Sequence, residues 1–248
     1  MDLSRRSYQK ELLDRDDIPF NDIKRNMQEL NFINTYLGGH SITIAGFKKI
    51  ISDSPSIGRE KILICEIGCG GGDNLKAIAR WCEKNNVNVS FIGIDINADC
   101  IQVANAACKD LEAEFIHSNY KFVNFQKKPS IIFSSLFCHH FTNEELVQML
   151  IWMKTHSTAG FFINDLHRHI LAYQSIKWLS RIFSKSYLVK NDAPISVARG
   201  FTKHEWLLLL QAAGIQRFTI HWKWAFRWLI TAFKGNNSSS FQAQYYNR

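Results

Sequence analysis

The 248-residue sequence has only 4 prolines and 13 glycines, and no internal repeat or low-complexity block. Collagen-like and disordered classes are thereby excluded. Six cysteines (Cys65, Cys69, Cys82, Cys100, Cys108, Cys138) contain no C-x-x-C pair and no metal-ligand spacing. Neither a disulfide framework nor a zinc module is expected, and reduced thiols in a cytoplasmic protein are the reading that follows. The opening stretch, MDLSRRSYQKELLDRDD, lacks the apolar core of a signal peptide. Long hydrophobic runs are missing too: Arg227 interrupts the most apolar late segment, Trp224 to Phe233, far short of the ~20 residues of a membrane span. No integral membrane segment is expected.

Acidic residues are the scarcer charge, 22 against 30 Lys plus Arg, for a net +8. That balance suits nucleic acid, an anionic membrane surface or a small acidic substrate, and charge does not choose among them. With 46% hydrophobic residues the chain can build one large core, not two catalytic domains.

Periodicity organises the chain. Ile23, Met27, Leu30, Ile33 and Leu37 predict a helix over Asn21 to Tyr36, with Asn21 as N-cap and Gly38 and Gly39 as the stop. A second helix, His40 to Ser52, completes an N-terminal helical cap spanning residues 1–58. From residue 59 the pattern alternates. Short apolar strands at Lys61 to Ile67, Val89 to Ile96, Glu114 to Ser118, Ser130 to Phe133 and Ala159 to Asn164 are interleaved with helices at Asp73 to Asn85, Asn97 to Lys109 and Asn143 to Thr155. Strands joined by such helices make a mostly parallel sheet covered on both faces. Such a sheet binds ligands beyond its strands' carboxyl ends. A helical lid insertion at about residues 165–200 interrupts the alternation. It resumes with helix Thr202 to Ala213 and strands Gln216 to His221 and Arg227 to Lys234, completing a core over 59–234. Trp222, Trp224, Phe226, Trp228 and Ile230 fall at period two, as on a half-buried terminal strand or hairpin arm, and residues 235–248 read as a flexible polar tail.

The strongest motif is E-I-G-C-G-G-G-D, Glu66 to Asp73, where the first strand meets a helix. A dinucleotide fingerprint, G-x-G-x-x-G, fails in both frames, because it meets Asp73 or Leu75 where glycine is required. This opposes a nicotinamide oxidoreductase. Glu66 would repel a pyrophosphate but suits a ligand bearing ammonium and sulfonium charge. Asp95, at the tip of the second strand in F-I-G-I-D-I, is placed to accept hydrogen bonds from ribose hydroxyls. Alone, Glu66 could serve a helix dipole and Asp95 an N-cap. Together with the glycine loop they point to a cationic nucleoside.

Over residues 59–234 the chain resembles the class I S-adenosylmethionine-dependent methyltransferases. The likeness is carried by E-I-G-C-G-G-G-D, by the terminal acid of G-I-D-I, and by I-I-F-S-S-L-F-C-H-H-F at 131–141. The resemblance implies an α/β, Rossmann-like seven-stranded sheet with its last strand antiparallel. It further implies S-adenosyl-L-methionine as cofactor, with S-adenosyl-L-homocysteine as product. Glu66, Ile67, Gly68, Cys69, Gly70, Gly72, Asp95, Ile96, Asn119, Tyr120 and Ser135 would then form the cofactor site. Asn119, near the adenine by this analogy, stands where many relatives have Asp. N-T-Y-L-G-G-H, Asn34 to His40, looks like part of a cap that closes over the methionine end.

Methyl transfer to a hydroxyl also needs a base. His139 and His140 after the fourth strand and His167 after the fifth are the candidates; each is otherwise a structural histidine. No carboxylate–histidine motif accompanies them, so no metal is expected. Cys138 lacks a cationic neighbour other than these imidazoles to activate it as a nucleophile. Base-amino methylases resemble N/D-P-P-Y where this chain has Ser134-Ser135-Leu136-Phe137, and pyrimidine-carbon methylases resemble P-C where it has Phe137-Cys138. Nucleic acid is disfavoured as a partner. Helix His169 to Lys185 sets Ile176, Leu179, Ile182 and Phe183 on one side and Lys177, Arg181 and Lys185 on another. This is a lid helix with a solvated basic face, a cover over an apolar acceptor tunnel, or a contact for an anionic membrane surface. D-L-H-R-H-I-L-A-Y and S-V-A-R-G-F resemble bacterial methyltransferases of phenolic, quinone or polyketide secondary metabolites. That likeness implies an aromatic hydroxyl acceptor, with Arg168, Tyr173 and Arg199 lining its site. A nucleic-acid methyltransferase and a non-catalytic cofactor-binding protein are the alternatives.

Overall fold

The computed structural model describes residues 2–15, 17–54, 57 and 61–234. The expected flexible tail at 235–248, and most of the segment at the 58/59 boundary, lie outside the described residues. Seven strands form one sheet: β1 (Ile62–Ile67), β2 (Val89–Asp95), β3 (Ala113–His117), β4 (Ile131–Ser135), β5 (Gly160–Leu166), β6 (Phe218–Lys223) and β7 (Arg227–Phe233). Their order is β3-β2-β1-β4-β5-β7-β6, and β7 runs antiparallel to both neighbours. This is the Rossmann-like α/β sheet with one reversed strand that the family resemblance implies. The order turns back between β1 and β4, so their carboxyl ends open the crevice where ligands bind such sheets.

Helices α1 (Phe20–Tyr36), α2 (Gly39–Asp53), α3 (Asp73–Lys84), α4 (Ala98–Ala107) and α5 (Asn143–His156) follow the expected positions within a few residues. α1 starts one residue earlier than expected: Pro19, with φ −60°, is its N-cap and Asn21 lies inside the helix. Both sheet faces are packed. Ile42, Phe47 and Ile50 of α2 and Leu75 and Ile78 of α3 bury one face, while Leu146, Met149, Leu150 and Met153 of α5 join the core on the other.

The insertion holds two helices, α6 (Ile170–Phe183) and α7 (Tyr187–Arg199), before α8 (Lys203–Ala212). α7 escapes sequence reading because Pro194 sits inside it and buried residues occur on several sides, leaving no amphipathic stripe. α1 docks on this insertion: the Glu29 carboxylate accepts from the Ser184 hydroxyl and from the N–H groups of Lys185 (3.1 Å) and Ser186 (3.0 Å). Of the apolar side expected of α6, Leu179, Ile182 and Phe183 are exposed and Ile176 is half-buried, and Trp178 beside them is exposed too. The period-two aromatic run is a hairpin and not one strand. Trp222 on β6 pairs with Trp228 on β7, and Trp224 lies in the turn between them. No helix among the described residues is long and apolar enough to cross a membrane.

Candidate active site

A cavity of about 460 Å³ opens at the carboxyl ends of β1, β2, β3 and β4, within the range of small-ligand sites. The loop after β1 forms its floor. Gly68, Gly70 and Gly72 take left-handed φ values of 69°, 50° and 75°, a turn that side chains resist. The loop is pinned to β2, since Gly68 and Cys69 donate their N–H groups to the Ile94 carbonyl at 2.8 and 3.1 Å. Asp95 Oδ2 accepts the Gly70 N–H at 2.9 Å, and Oδ1 accepts that of Asn97 at 2.9 Å. A carboxylate oxygen has two lone pairs, so each retains acceptor capacity toward the cavity. Burial raises the Asp95 pKa, partly offset by those N–H donors.

Of the eleven residues expected at a cofactor, Gly68, Cys69, Gly70, Asp95, Ile96, Asn119, Tyr120 and Ser135 line the cavity, and Glu66, Ile67 and Gly72 do not. Glu66 lies just beneath. Its Oε1 accepts from Asn74 Nδ2 at 2.9 Å, and Asn74 is on the wall, while Oε2 is buried without a hydrogen bond. Burial, with Asp73 and Asp95 close by, pushes the Glu66 pKa well above the carboxylate range. Such a group is poised to ionise when a cation arrives. Asn34, from the end of α1, closes this side of the cavity. Its side-chain oxygen accepts from the buried guanidinium of Arg227 at 3.0 Å. The N-T-Y-L-G-G-H segment therefore reaches the cavity through Asn34.

The opposite end is built by the turn after β4 and by the N-terminal segment. Phe137, His140 and Phe141 face Leu13 and Asp14 there. His140 is the one of the three expected bases that lines the cavity; its Nδ1 lies 3.1 Å from Asp14 Oδ1. Burial would raise the Asp14 pKa, but the hydrogen bond from His140, with the Glu11 N–H and the Arg199 guanidinium, outweighs that and holds it at about 2. His139 is buried behind, with Nδ1 2.8 Å from Asp165 Oδ1 and Nε2 3.5 Å from Glu11 Oε1. Burial opposes its charge, yet the two carboxylates lift its pKa to about 9.

The remaining expected residues lie elsewhere. His167 Nδ1 accepts the Trp222 indole N–H at 3.2 Å, packed on Trp228, and burial brings its pKa down to about 4. It is away from the cavity because β5 ends beside the β6–β7 hairpin. Arg168 is buried and paired with Glu205 at 2.8 Å, so its guanidinium is spent inside the fold. Arg199 donates to the carbonyls of His139 (2.9 Å), His140 (2.7 Å) and Gln9 (3.0 Å), bracing the histidine turn from behind. Tyr173 is half-buried on α6, its ring 5.9 Å from the Lys177 ammonium. None of these three lines the cavity. Sequence reading missed Asp14, Met27, Leu30 and Phe141. Glu11 and Asp14 sit in a polar segment with no periodicity, so nothing local marks them.

Residues 64–160 match the model of the methyltransferase domain family. No curated protein matches the chain. Among solved structures, the plantazolicin methyltransferase BpumL, bound to a triazolic desmethylPZN analog and SAH, is 16% identical with a TM-score of 0.64, covering 88% of this chain and 97% of that one. Human N-acetylserotonin methyltransferase in complex with SAM is 14% identical with a TM-score of 0.63, over 88% of this chain and 57% of that one. Magnesium protoporphyrin IX methyltransferase (ChlM) from Synechocystis PCC 6803 with bound SAH is 13% identical with a TM-score of 0.56, over 87% and 94%. At these identities the likeness is one of fold.

Proposed function

We propose that this chain, which carries a methyltransferase domain at residues 64–160 on the class I methyltransferase fold, transfers the methyl group of S-adenosyl-L-methionine to the oxygen of a small aromatic or lipid-like acceptor. S-adenosyl-L-homocysteine is the product. The observation that carries this reading is the pairing of Asp95 with the left-handed glycine loop, both oxygens tied to backbone N–H groups beside the cavity. A ribose diol fits the remaining lone pairs. The buried, unpaired Glu66 Oε2 fits the positive methionine end, with Asn34 and Asp73 on the wall between. The protein binds and orients the donor; the sulfonium supplies an electrophilic methyl carbon. The acceptor then enters from the His140 side, where Phe137 and Phe141 offer aromatic walls and the hydroxyl loses its proton at the His140–Asp14 pair. His139 acts from behind as a positioning residue. A lipid-like acceptor is supported by the uncovered apolar residues of α6, next to the basic Arg181 and Lys185.

The test is product formation. Incubation with S-adenosylmethionine and a panel of soluble phenols, long-chain phenols presented in anionic vesicles, and RNA should yield S-adenosylhomocysteine only with phenolic acceptors. Turnover on RNA alone would overturn the acceptor class, and absence of cofactor binding would overturn the whole reading.

Two quantities follow from the donor site. Asp95→Ala removes the ribose acceptors, and hydrogen bonds to a charged group contribute about 1.5–3 kcal/mol, so calorimetric affinity for S-adenosylhomocysteine should fall about 10- to 150-fold. The second is pH dependence. Glu66 holds a proton in the free protein because its pKa is raised, whereas the cationic ligand favours the carboxylate. Binding therefore releases a proton, and affinity for S-adenosylmethionine should rise with pH until the raised pKa is passed. Calorimetry in buffers of different ionisation enthalpy detects that proton, and Glu66→Gln should flatten the slope.

A further inference from the structure

The densest set of chemistry-bearing side chains away from the donor site is Glu11, His139 and His140. One ligand atom from each lies within 4.8 Å of the others. His139 Nε2 is 3.5 Å from Glu11 Oε1, and His140 Nε2 is 3.9 Å from Glu11 Oε2. Ligands at about 2.0–2.2 Å from one ion stand about 3.4 Å apart at tetrahedral angles, so a group spread over at most 4.8 Å has to draw together by about 1 Å. A second feature is independent of that spacing. Each imidazole turns its other nitrogen to a carboxylate, His139 Nδ1 to Asp165 Oδ1 at 2.8 Å and His140 Nδ1 to Asp14 Oδ1 at 3.1 Å. Carboxylates so placed hold Nδ1 as the donor, as around metal-ligating histidines, and the ion would take the place of the proton on His139 Nε2. Glu11 is itself held by the Ser196 hydroxyl at 2.8 Å.

We propose that Glu11, His139 and His140 bind a divalent transition-metal ion, Zn²⁺ foremost, with Asp165 and Asp14 as its outer partners. Two imidazoles and one carboxylate favour Zn²⁺ or Fe²⁺ over Mg²⁺ or Ca²⁺, which prefer all-oxygen sites. Three protein ligands leave a position open, and of the three only His140 is cavity wall, so an acceptor would reach the ion past His140. Resting on the methyltransferase reading, the use of the site is acceptor activation. With the ion in place His140 is a ligand and no longer the base: a hydroxyl bound there forms a metal–oxygen bond and loses its proton to water. Its oxygen then bonds the methyl carbon as the carbon–sulfur bond breaks, and the sulfonium leaves as a neutral thioether.

The site is tested apart from turnover. Protein stripped with a chelator and titrated with ZnCl₂ by calorimetry should take up one equivalent, and CoCl₂ should give the visible absorption of a low-coordinate Co²⁺ centre. His140→Ala and Glu11→Gln should each weaken Zn²⁺ binding at least 100-fold, and Asp165→Asn about 10- to 100-fold; a cooperative thermal transition confirms that each variant is folded. No stoichiometric uptake by the wild-type chain, or uptake unchanged in His140→Ala and Glu11→Gln, would overturn the site. Wild-type protein that takes up no Zn²⁺ yet binds S-adenosylmethionine loses the metal and keeps the methyltransferase reading. Protein that takes up Zn²⁺ and ignores S-adenosylmethionine does the reverse.

Discussion

Gly68→Ala should sharply weaken the proposed binding of S-adenosylhomocysteine. A Cβ on Gly68 would stand 2.3 Å from Phe137 Cδ2 and 2.4 Å from its Cγ, and φ is 69°. The left-handed conformation alone costs an alanine about 1–2 kcal/mol, and overpacking adds about 1–3 kcal/mol. Neither neighbour gives way easily. The loop backbone is bonded to Ile94 and Asp95, and the Phe137 ring lies directly against Gly68 on the cavity wall. Relief must come from moving the loop or the ring, and either reshapes the cavity. The expected result is a loss of S-adenosylhomocysteine affinity of about 100-fold or more, together with a lower melting temperature. Gly214→Ala is the control: φ is 63° but nothing lies within 4 Å of its added Cβ. It should lose about 1–2 kcal/mol of stability with unchanged affinity. Equal affinity in wild type and Gly68→Ala would remove the glycine loop from the site.

Arg168→Ala separates a structural arginine from an acceptor-binding one. The guanidinium donates through Nη2 to Glu205 Oε1 (2.8 Å), through Nη1 to Glu205 Oε2 (3.0 Å) and the Gly200 carbonyl (2.6 Å), and through Nε to the Leu3 carbonyl (3.0 Å). Its side chain is 2% exposed. Removing one partner of a buried pair costs about 3–5 kcal/mol, because the groups left behind are unpaired. At about 2–4 °C per kcal/mol for a chain of this size, the melting temperature should fall by about 6–20 °C. Donor affinity should hold at a temperature where the variant is folded. A stable variant with acceptor turnover lost would return Arg168 to the substrate-binding role that the D-L-H-R-H-I-L-A-Y likeness implies.

The two arginines show how far a linear reading reaches. Arg168 and Arg199 are charged residues near the ends of a strand and a helix, a placement that suits either substrate contact or internal bracing. The sequence does not distinguish these, because their partners Glu205, Gly200, Gln9 and Asp14 come from segments that no periodicity ties to them. The three histidines divide for the same reason. Strand ends bring all three to one edge of the sheet, yet the β6–β7 hairpin takes His167 and the N-terminal segment takes the other two.

The part of the cavity proposed to hold the donor was legible because its pieces are close in sequence. A strand, a glycine turn and a helix lie within Glu66 to Asp73, and the following strand ends in Asp95 a crossover later. Local backbone preference and alternation of apolar runs were enough to set that half, along with the parallel sheet that carries it. The acceptor half was decided by tertiary structure alone. Glu11 and Asp14 meet His139 and His140 only across more than 120 residues of chain, and there the pairing of histidine with carboxylate, against burial, sets the charge of Glu11 and His139. Hydrophobic periodicity records which face of an element is covered; it carries no record of which distant polar side chains will share one dry pocket.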